Sequence, residues 1–502
     1  MSVSTSTTLP PSDYIKSTIH EIEKGNANSP SPSPHEGAHL DPVISARITR
    51  KFDKHIIPWL FGLWLLAFID RSNIGNAKID GLAEDLNILK GNKFNIALAI
   101  FYVPYIIVDV PSNWLVKRVG AGYYLPGLVF GWGIVSMCLG FVKTYEGLLA
   151  GRFFLGLMEG GLLGGMIIYL AMFYQRQQIM IRIGLFYCAA PLSGAFGGLL
   201  ATGLSQISTP GYDGWPFIFF IEGVITILFG LLASFFVPHT PSHSMFLTQE
   251  EKEFAVRRMN IDSQGAVSSS SVDTEKFSWH WVKIAILNWN TVLLSLNFFA
   301  IITPIYSFSL FLPTIISALG YKSVKANLLT VPPNMAAFFA VLIVTYFSDR
   351  IKQRGIFMLG GATVGIIGYI MLIASPEPLV QYGGTFFVAV GIFPCSPMVM
   401  GWMANNVAPH YVRATATGFQ ICIANCAAFI ATFTYVTSDA PRYTTGHAIN
   451  LGMLALCIVI TAVTISYCKW ENSKRERGER DDWLREDQTL LGHRHPNFKY
   501  SI

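Results

Sequence analysis

From Ile56 to Ile69 the chain reads IIPWLFGLWLLAFI, fourteen residues without a charge. Blocks of this kind recur as far as about residue 468. No soluble core absorbs so many. Apolar stretches near twenty residues match the ~30 Å hydrocarbon core of a bilayer when they form helices rising ~1.5 Å per residue. Composition agrees: 52% of the residues are hydrophobic and 13% charged, where soluble domains carry about 25% charged. The pattern predicts an all-α integral membrane protein of twelve spans. They fall at about 56–76, 95–116, 122–142, 147–173, 183–205, 215–237, 288–312, 324–348, 356–375, 381–403, 412–436 and 448–468.

The spans divide six and six. Residues 1–45, rich in Ser and Pro (SPSPSPHEG), are expected to be a disordered cytoplasmic tail. They lack the apolar core of a secretory signal, so the first span is expected to do the targeting. Residues 46–237 form a first six-helix half, 238–287 a cytoplasmic linker, 288–470 a second half and 471–502 a solvated tail. Lys and Arg number twelve in short segments on the amino-terminal side and seven on the other. That excess places both termini in the cytoplasm. A weak repeat supports the division: NWLVKRVGAG follows span 2 and TYFSDRIKQR follows span 8, with Arg118 in register with Arg350. Internal repeats of this kind underlie secondary transporters, whose substrate site lies between the halves.

The first span ends in FIDRSNIGNA. A helix stopping at Ile69 rises only about 21 Å, short of the bilayer core. Continuing to Ala77 gives a full span and puts Asp70 and Arg71 inside the membrane; a helix end at the outer headgroups is the alternative. Intramembrane charges cost roughly 2.5–3.5 kcal/mol each on insertion scales and call for partners. Neighbours in sequence do not face each other on a helix, so the partners must come from other spans. Span 4, GRFFLGLMEGG, offers Arg152 and Glu159 seven residues apart on one face. Asp70, Arg71, Arg152 and Glu159 then form a neutral quartet, with a static ion-pair network as the structural alternative. Protonating one acid leaves a positive site able to take a carboxylate, and proton and anion favour each other's binding. Arg71 is assigned to the substrate carboxylate, which a guanidinium binds bidentately. Asp70 and Glu159 are the proton candidates.

Other residues carry weaker signals. Tyr102 and Tyr105 are placed to hydrogen-bond substrate. Asp109 reads as a helix-end or gate residue, and Glu222 as packing beneath the gate. Asn297, Tyr306, Asn334, Gln420 and Asn425 are the polar groups of the nearly uncharged second half; they orient a ligand or bond between helices. Trp402, Asn405 and Asn406 read as gate structure. All seven cysteines lie in or beside apolar blocks and read as small hydrophobes, with no metal site, cofactor or disulfide expected. The eleven histidines fall outside the predicted spans, and no nucleophile–base pair is visible, so an enzyme is not expected. No basic cluster interleaved with aromatics points to nucleic acid.

Six stretches carry a resemblance: FIDRSNIGNAKIDGLAEDL, VPSNWLVKRVG, GRFFLGLMEGG, FIFFIEG, SFSLFLPTIISALGY and GWMANNVAPHYVRATATGF. With TYFSDRIKQR they resemble the major facilitator superfamily, its anion:cation symporter branch, and within that the fungal allantoate permease family, over about residues 50–470. The resemblance implies a proton-coupled importer of small organic anions and vitamins such as allantoate, nicotinate or pantothenate; a monomer at the plasma membrane is expected. It implies gating roles for Arg118, Asp349 and Arg350, and coupling roles for the Asp70–Arg71 and Arg152–Glu159 pairs. It places Tyr306 and Asn425 in helices that line the cavity. The first-half loop departs from the superfamily pattern at Asn113 and Lys117. APLSGA in span 5 is a partial match to an exporter motif and leaves a metabolite or drug exporter open; a sensor that binds without transport is the other alternative.

Overall fold

A backbone surrounded by hydrocarbon must satisfy its own hydrogen bonds, and a helix does so within one segment. A computed structural model describes residues 41–502 except 89–90, 211, 265–278, 322, 352, 409, 481, 483–494 and 497. Residues 46–502 form one unit. Its long helices are α1 (Ile57–Ala77), α2 (Lys93–Val119), α3 (Ala121–Leu139), α4 (Tyr145–Glu159 and Leu162–Phe173), α5 (Arg176–Tyr187 and Ala189–Leu204) and α6 (Pro216–Phe236). The second set is α7 (Trp289–Ala318), α8 (Val331–Ile351), α9 (Arg354–Ala374), α10 (Pro378–Ile392 and Cys395–Asn406), α11 (His410–Phe433) and α12 (Thr444–Glu476). Among the described residues eleven segments are long and apolar enough to cross a membrane. The twelfth, α2, has 27 residues, enough for about 40 Å of rise. A two-residue antiparallel pairing, Ser208–Thr209 with Tyr212–Asp213, closes the turn before α6.

Packing repeats between the halves. In the first, α1 packs on α5, α2 on α4 and α3 on α6; in the second, α7 packs on α11, α8 on α10 and α9 on α12. The halves meet through α1 with α7, α2 with α11, and α5 with α8. Small residues permit the closest approaches: a Cβ on Gly156 would strike the Phe101 carbonyl, and one on Gly75 the Leu310 carbonyl. The expected span 4 breaks in two directly after Glu159, where Gly160 is extended and Gly161 takes φ +101°.

The last turn of α12, the linker and the chain segment before α1 share one face. There Arg182 grips Asp53 through two bonds of 2.7 Å. Lys51 holds Glu251 of the linker helix Gln249–Gln264 at 2.6 Å. Burial pushes the Glu251 carboxyl up, but its bonds to Lys51 and Thr248 outweigh this and hold it below the ordinary glutamate range. The final residues are not the solvated tail expected. The Asn406 side chain accepts from the Ser501 backbone N–H at 2.8 Å, Trp402 Nε1 donates to the Ser501 carbonyl at 2.9 Å, and Asn472 bonds both backbone groups of Tyr500. Aromatic and amide contacts hold this segment where charge alone suggested solvent. Of the tail expected to be disordered, residues 1–40 and the serine run Ser268–Ser271 lie outside the described residues, while 42–45 open a helix, Pro42–His55, rather than disordered chain.

On the opposite face the halves are clasped. Asn95 Nδ2 donates to the carbonyls of Thr432 (2.6 Å) and Tyr435 (3.1 Å). Asn327 Nδ2 donates to Asp80 at 2.7 Å, beside a break in the helix where Gly81 has φ +111°. The Lys78 ammonium lies 4.4 Å from the Phe94 ring centre and 5.9 Å from that of Phe311.

Candidate functional site

Asp70 and Arg71 both lie in the helical interior of α1, at 1% and 5% exposure. The helix runs on past them, as the length argument requires. Successive residues on a helix point about 100° apart, and these two separate completely. Arg71 turns toward α2 and α4. Its Nη2 bonds Glu159 Oε2 at 2.9 Å, and its guanidinium lies 5.2 Å from the Phe101 ring centre and 4.8 Å from that of Tyr105. Asp70 turns toward α3 and α6, where it accepts from Trp132 Nε1 (2.8 Å), Ser136 Oγ (2.9 Å) and Thr226 Oγ1 (3.4 Å). The quartet is therefore one ion pair and two separately housed charges. Arg152 is 1% exposed, sits 5.2 Å from the Phe101 ring, and its Nε and Nη1 have no hydrogen-bond partner among the described residues. Helix rotation, which residue spacing alone does not fix, accounts for the difference.

A small cavity of about 30 Å³ lies between the halves, room for a water or two and well below the ~300–1,000 Å³ of small-molecule sites, so a substrate enters only when the halves part. From the first half Trp64, Phe68, Tyr105 and Tyr187 line it; from the second come Phe298, Tyr306, Phe393, Ser396 and Asn425, with aliphatic side chains between them. Tyr306 donates to Asn425 Oδ1 at 3.3 Å, so two expected ligand residues face the cavity together. Tyr102 stands one layer behind, its ring 5.7 Å from that of Tyr306 and its hydroxyl unpartnered among the described residues. Arg71 does not line the cavity. Tyr105 and Tyr306 stand between the two, their hydroxyls close to the guanidinium. Tyr187 was not singled out by its sequence context; it is one tyrosine in a helix of ordinary composition.

The expected gating residues occupy matched positions. The Arg118 guanidinium stacks 4.0 Å from the Trp114 ring and that of Arg350 5.5 Å from Tyr346, each over the side chain four residues earlier. Asp349 pairs with Arg354 at 3.1 Å. The side chains of Asn113 and Lys117 lie outside the described residues. Asn297, Asn334 and Gln420 spend their amides on Thr461, the Thr330 carbonyl and the Leu294 carbonyl, so they bond within the second half. One histidine departs from expectation: α12 starts earlier than the hydropathy suggested, and His447 lies inside it, 3% exposed and bonded to the Tyr435 hydroxyl at 3.0 Å. Glu222 on α6 is 2% exposed, and neither carboxyl oxygen has a partner among the described residues.

The family model described as Major Facilitator Superfamily matches residues 60–432. An uncharacterized transporter of Schizosaccharomyces pombe is 34% identical over 464 residues, covering 92% of this chain and 91% of its own. The MFS-type transporter efuF of Hormonema carpetanum is 35% identical over 445 residues, covering 87% and 88%. Among solved structures, a D-xylose-proton symporter superposes with TM-score 0.62 at 15% identity, covering 82% of this chain and 97% of that one. A bacterial homolog to the human lysosomal transporter Spinster, inward-facing and unoccupied, gives TM-score 0.62 at 15% identity over 82% and 96%. At such identities these structures share the fold and nothing finer.

Proposed function

The chain belongs to the major facilitator superfamily, and from that premise we propose that it is a proton-coupled symporter of a small organic anion, carrying it into the cytoplasm as a monomer in the plasma membrane. The observation that carries this reading is the buried Arg71–Glu159 pair, one tyrosine layer behind a cavity between the halves. While Glu159 is ionised, Arg71 is satisfied and a second carboxylate has nothing to gain from it. Protonating Glu159 leaves a buried guanidinium with an unmet charge, costly in a dry site. A substrate carboxylate in the cavity then takes over the guanidinium, with Tyr105 and Tyr306 as the groups that must yield or share it. Asp70⁻ and Arg152⁺ remain as a balanced background. Proton and anion each favour the other's binding, which is the thermodynamic requirement of symport. Tyr102 and Asn425 complete the polar wall, while Arg118, Asp349 and Arg350 gate the face that carries the linker. A D-xylose-proton symporter shares this fold, so the architecture accommodates such coupling.

The test is a screen of labelled carboxylates in a host deficient in their uptake, with import rising as the medium is acidified. Arg71→Ala should weaken binding roughly ten- to hundredfold, from the loss of a charged hydrogen bond worth ~1.5–3 kcal/mol. Glu159→Gln should retain binding and exchange but lose acid-driven accumulation. Normal acid-driven uptake by both variants overturns the assignment.

A second reading, an exporter of lipophilic metabolites, is favoured by the mostly apolar and aromatic wall around Trp64, Phe68, Phe298 and Phe393. Efflux from loaded cells, with no acid-stimulated uptake, is its signature.

A further inference from the structure

Among the described residues of the first half three carboxyl groups are fully buried, and two of them have donors. Asp70 has three, and Glu159 has Arg71. Glu222 has none among the described residues, although it is as deeply enclosed as the other two. It sits on α6 four residues before Thr226, on the same face, and Thr226 donates to Asp70. The two acids therefore share the seam where α1, α3 and α6 meet.

The charges around Glu222 can be followed helix by helix. From α1, Asp70 is the charged group that bears on it; Arg71 on the same helix turns away to Glu159. The α3 sequence, AGYYLPGLVFGWGIVSMCL, contains no acid, lysine, arginine or histidine. The part of α5 packed here, AAPLSGAFGGLLATGL, contains none either. Asp213 belongs to the turn before α6, nine residues before Glu222 in sequence. Among the described residues no cation is found to compensate the position.

An ionised carboxylate without donors in such a place costs several kcal/mol, and two adjacent buried carboxylates do not both ionise. The donors decide which one carries the charge. Three N–H and O–H groups favour Asp70 as the anion and leave the proton to Glu222. We propose that Glu222 is a proton-binding site, forming with Asp70 a carboxyl pair that holds one proton apart from the substrate cavity. Glu222 and Asp70 share no hydrogen bond; when Glu222 gives up its O–H as Asp70 gains one, the pair keeps a single negative charge. The site is additional to the Arg71–Glu159 exchange and does not depend on the identity of the substrate.

Infrared spectroscopy of the full chain in lipid nanodiscs reads this without any substrate, through the C=O band of a protonated carboxyl. The wild type should keep such a band from neutral into alkaline buffer, and Glu222→Gln should lose it. Asp70→Asn removes the neighbouring charge, so the midpoint of the Glu222 band should move to lower pH by about one unit or more, the scale of interacting buried pairs. Carbon-13 labelling of glutamate shifts the band in the unmutated protein and keeps the test available where the Gln variant folds poorly. A band that survives Glu222→Gln, no glutamate band at neutral pH, or a midpoint indifferent to Asp70→Asn overturns the proposal.

Discussion

Replacing Asn95 by Ala should unlatch the face opposite the linker. Asn95 is 1% exposed, and its amide gives two bonds across the boundary between halves, to Thr432 and Tyr435. Each is worth about 1 kcal/mol net, so removing both costs the closed arrangement about 2 kcal/mol. If water reaches the two carbonyls once the halves part, the open arrangement loses nothing comparable. At 1.4 kcal/mol per tenfold, the open-to-closed ratio should rise about thirtyfold. Distances between spin labels on the 140–144 and 434–443 loops report that ratio by double electron–electron resonance. The wild type should show a short distance and Asn95→Ala a substantial longer population. Asn95→Asp keeps the size but exchanges a donor for a charge facing two carbonyls, and should open the face at least as far. Unchanged distance distributions in both variants would show that the amide bonds do not hold the halves together.

Two further outcomes are expected. Gly156→Leu drives a side chain into the Phe101 carbonyl, an overpacking that costs ~1–3 kcal/mol; it should lower the thermal aggregation midpoint in detergent, while Gly360→Ala, open on that side, should not. The Lys51–Glu251 bond should weaken on acidification. Because the folded carboxyl lies below its ordinary range, the stability it contributes is present above that range and is lost as pH falls through the lowered value. The protection factors of the Gln249–Gln264 amides, taken relative to their intrinsic exchange at each pH, should fall in acid, and Glu251→Gln should remove that fall.

The positions of Asp70 and Arg71 were legible because length is a one-dimensional quantity: a fourteen-residue run cannot cross a bilayer, and the missing turns had to come from the residues that follow. The Arg71–Glu159 contact was legible for a related reason, since both charges needed partners and few were available. Which way Asp70 points was not. It depends on the rotation of α1 against α3, set by the packing of Trp132 and Ser136, which look like ordinary interior residues in sequence. Glu222 was visible as a buried acid, but its lack of donors is a three-dimensional fact. The clasp at Asn95 and the docking of Tyr500 and Ser501 rest on single amides and backbone groups, which leave no periodic trace. His447 was missed because hydropathy marks where apolar residues begin, and α12 starts a turn earlier, on TTGH.

The buried charges of the first half also have an electrical consequence. Asp70, Arg71, Arg152 and Glu159 sum to zero when ionised, and the second-half cavity wall contributes no charge. A membrane potential exerts ~2.3 kcal/mol per elementary charge per 100 mV on whatever crosses its field, so it finds no net lever on these four when the empty carrier turns over. Loading one proton and one monovalent anion leaves that sum as it was. On the proposed coupling, such a carrier should be driven by the acidity of the medium and the abundance of its cargo, and should run equally well across a membrane whose voltage has collapsed.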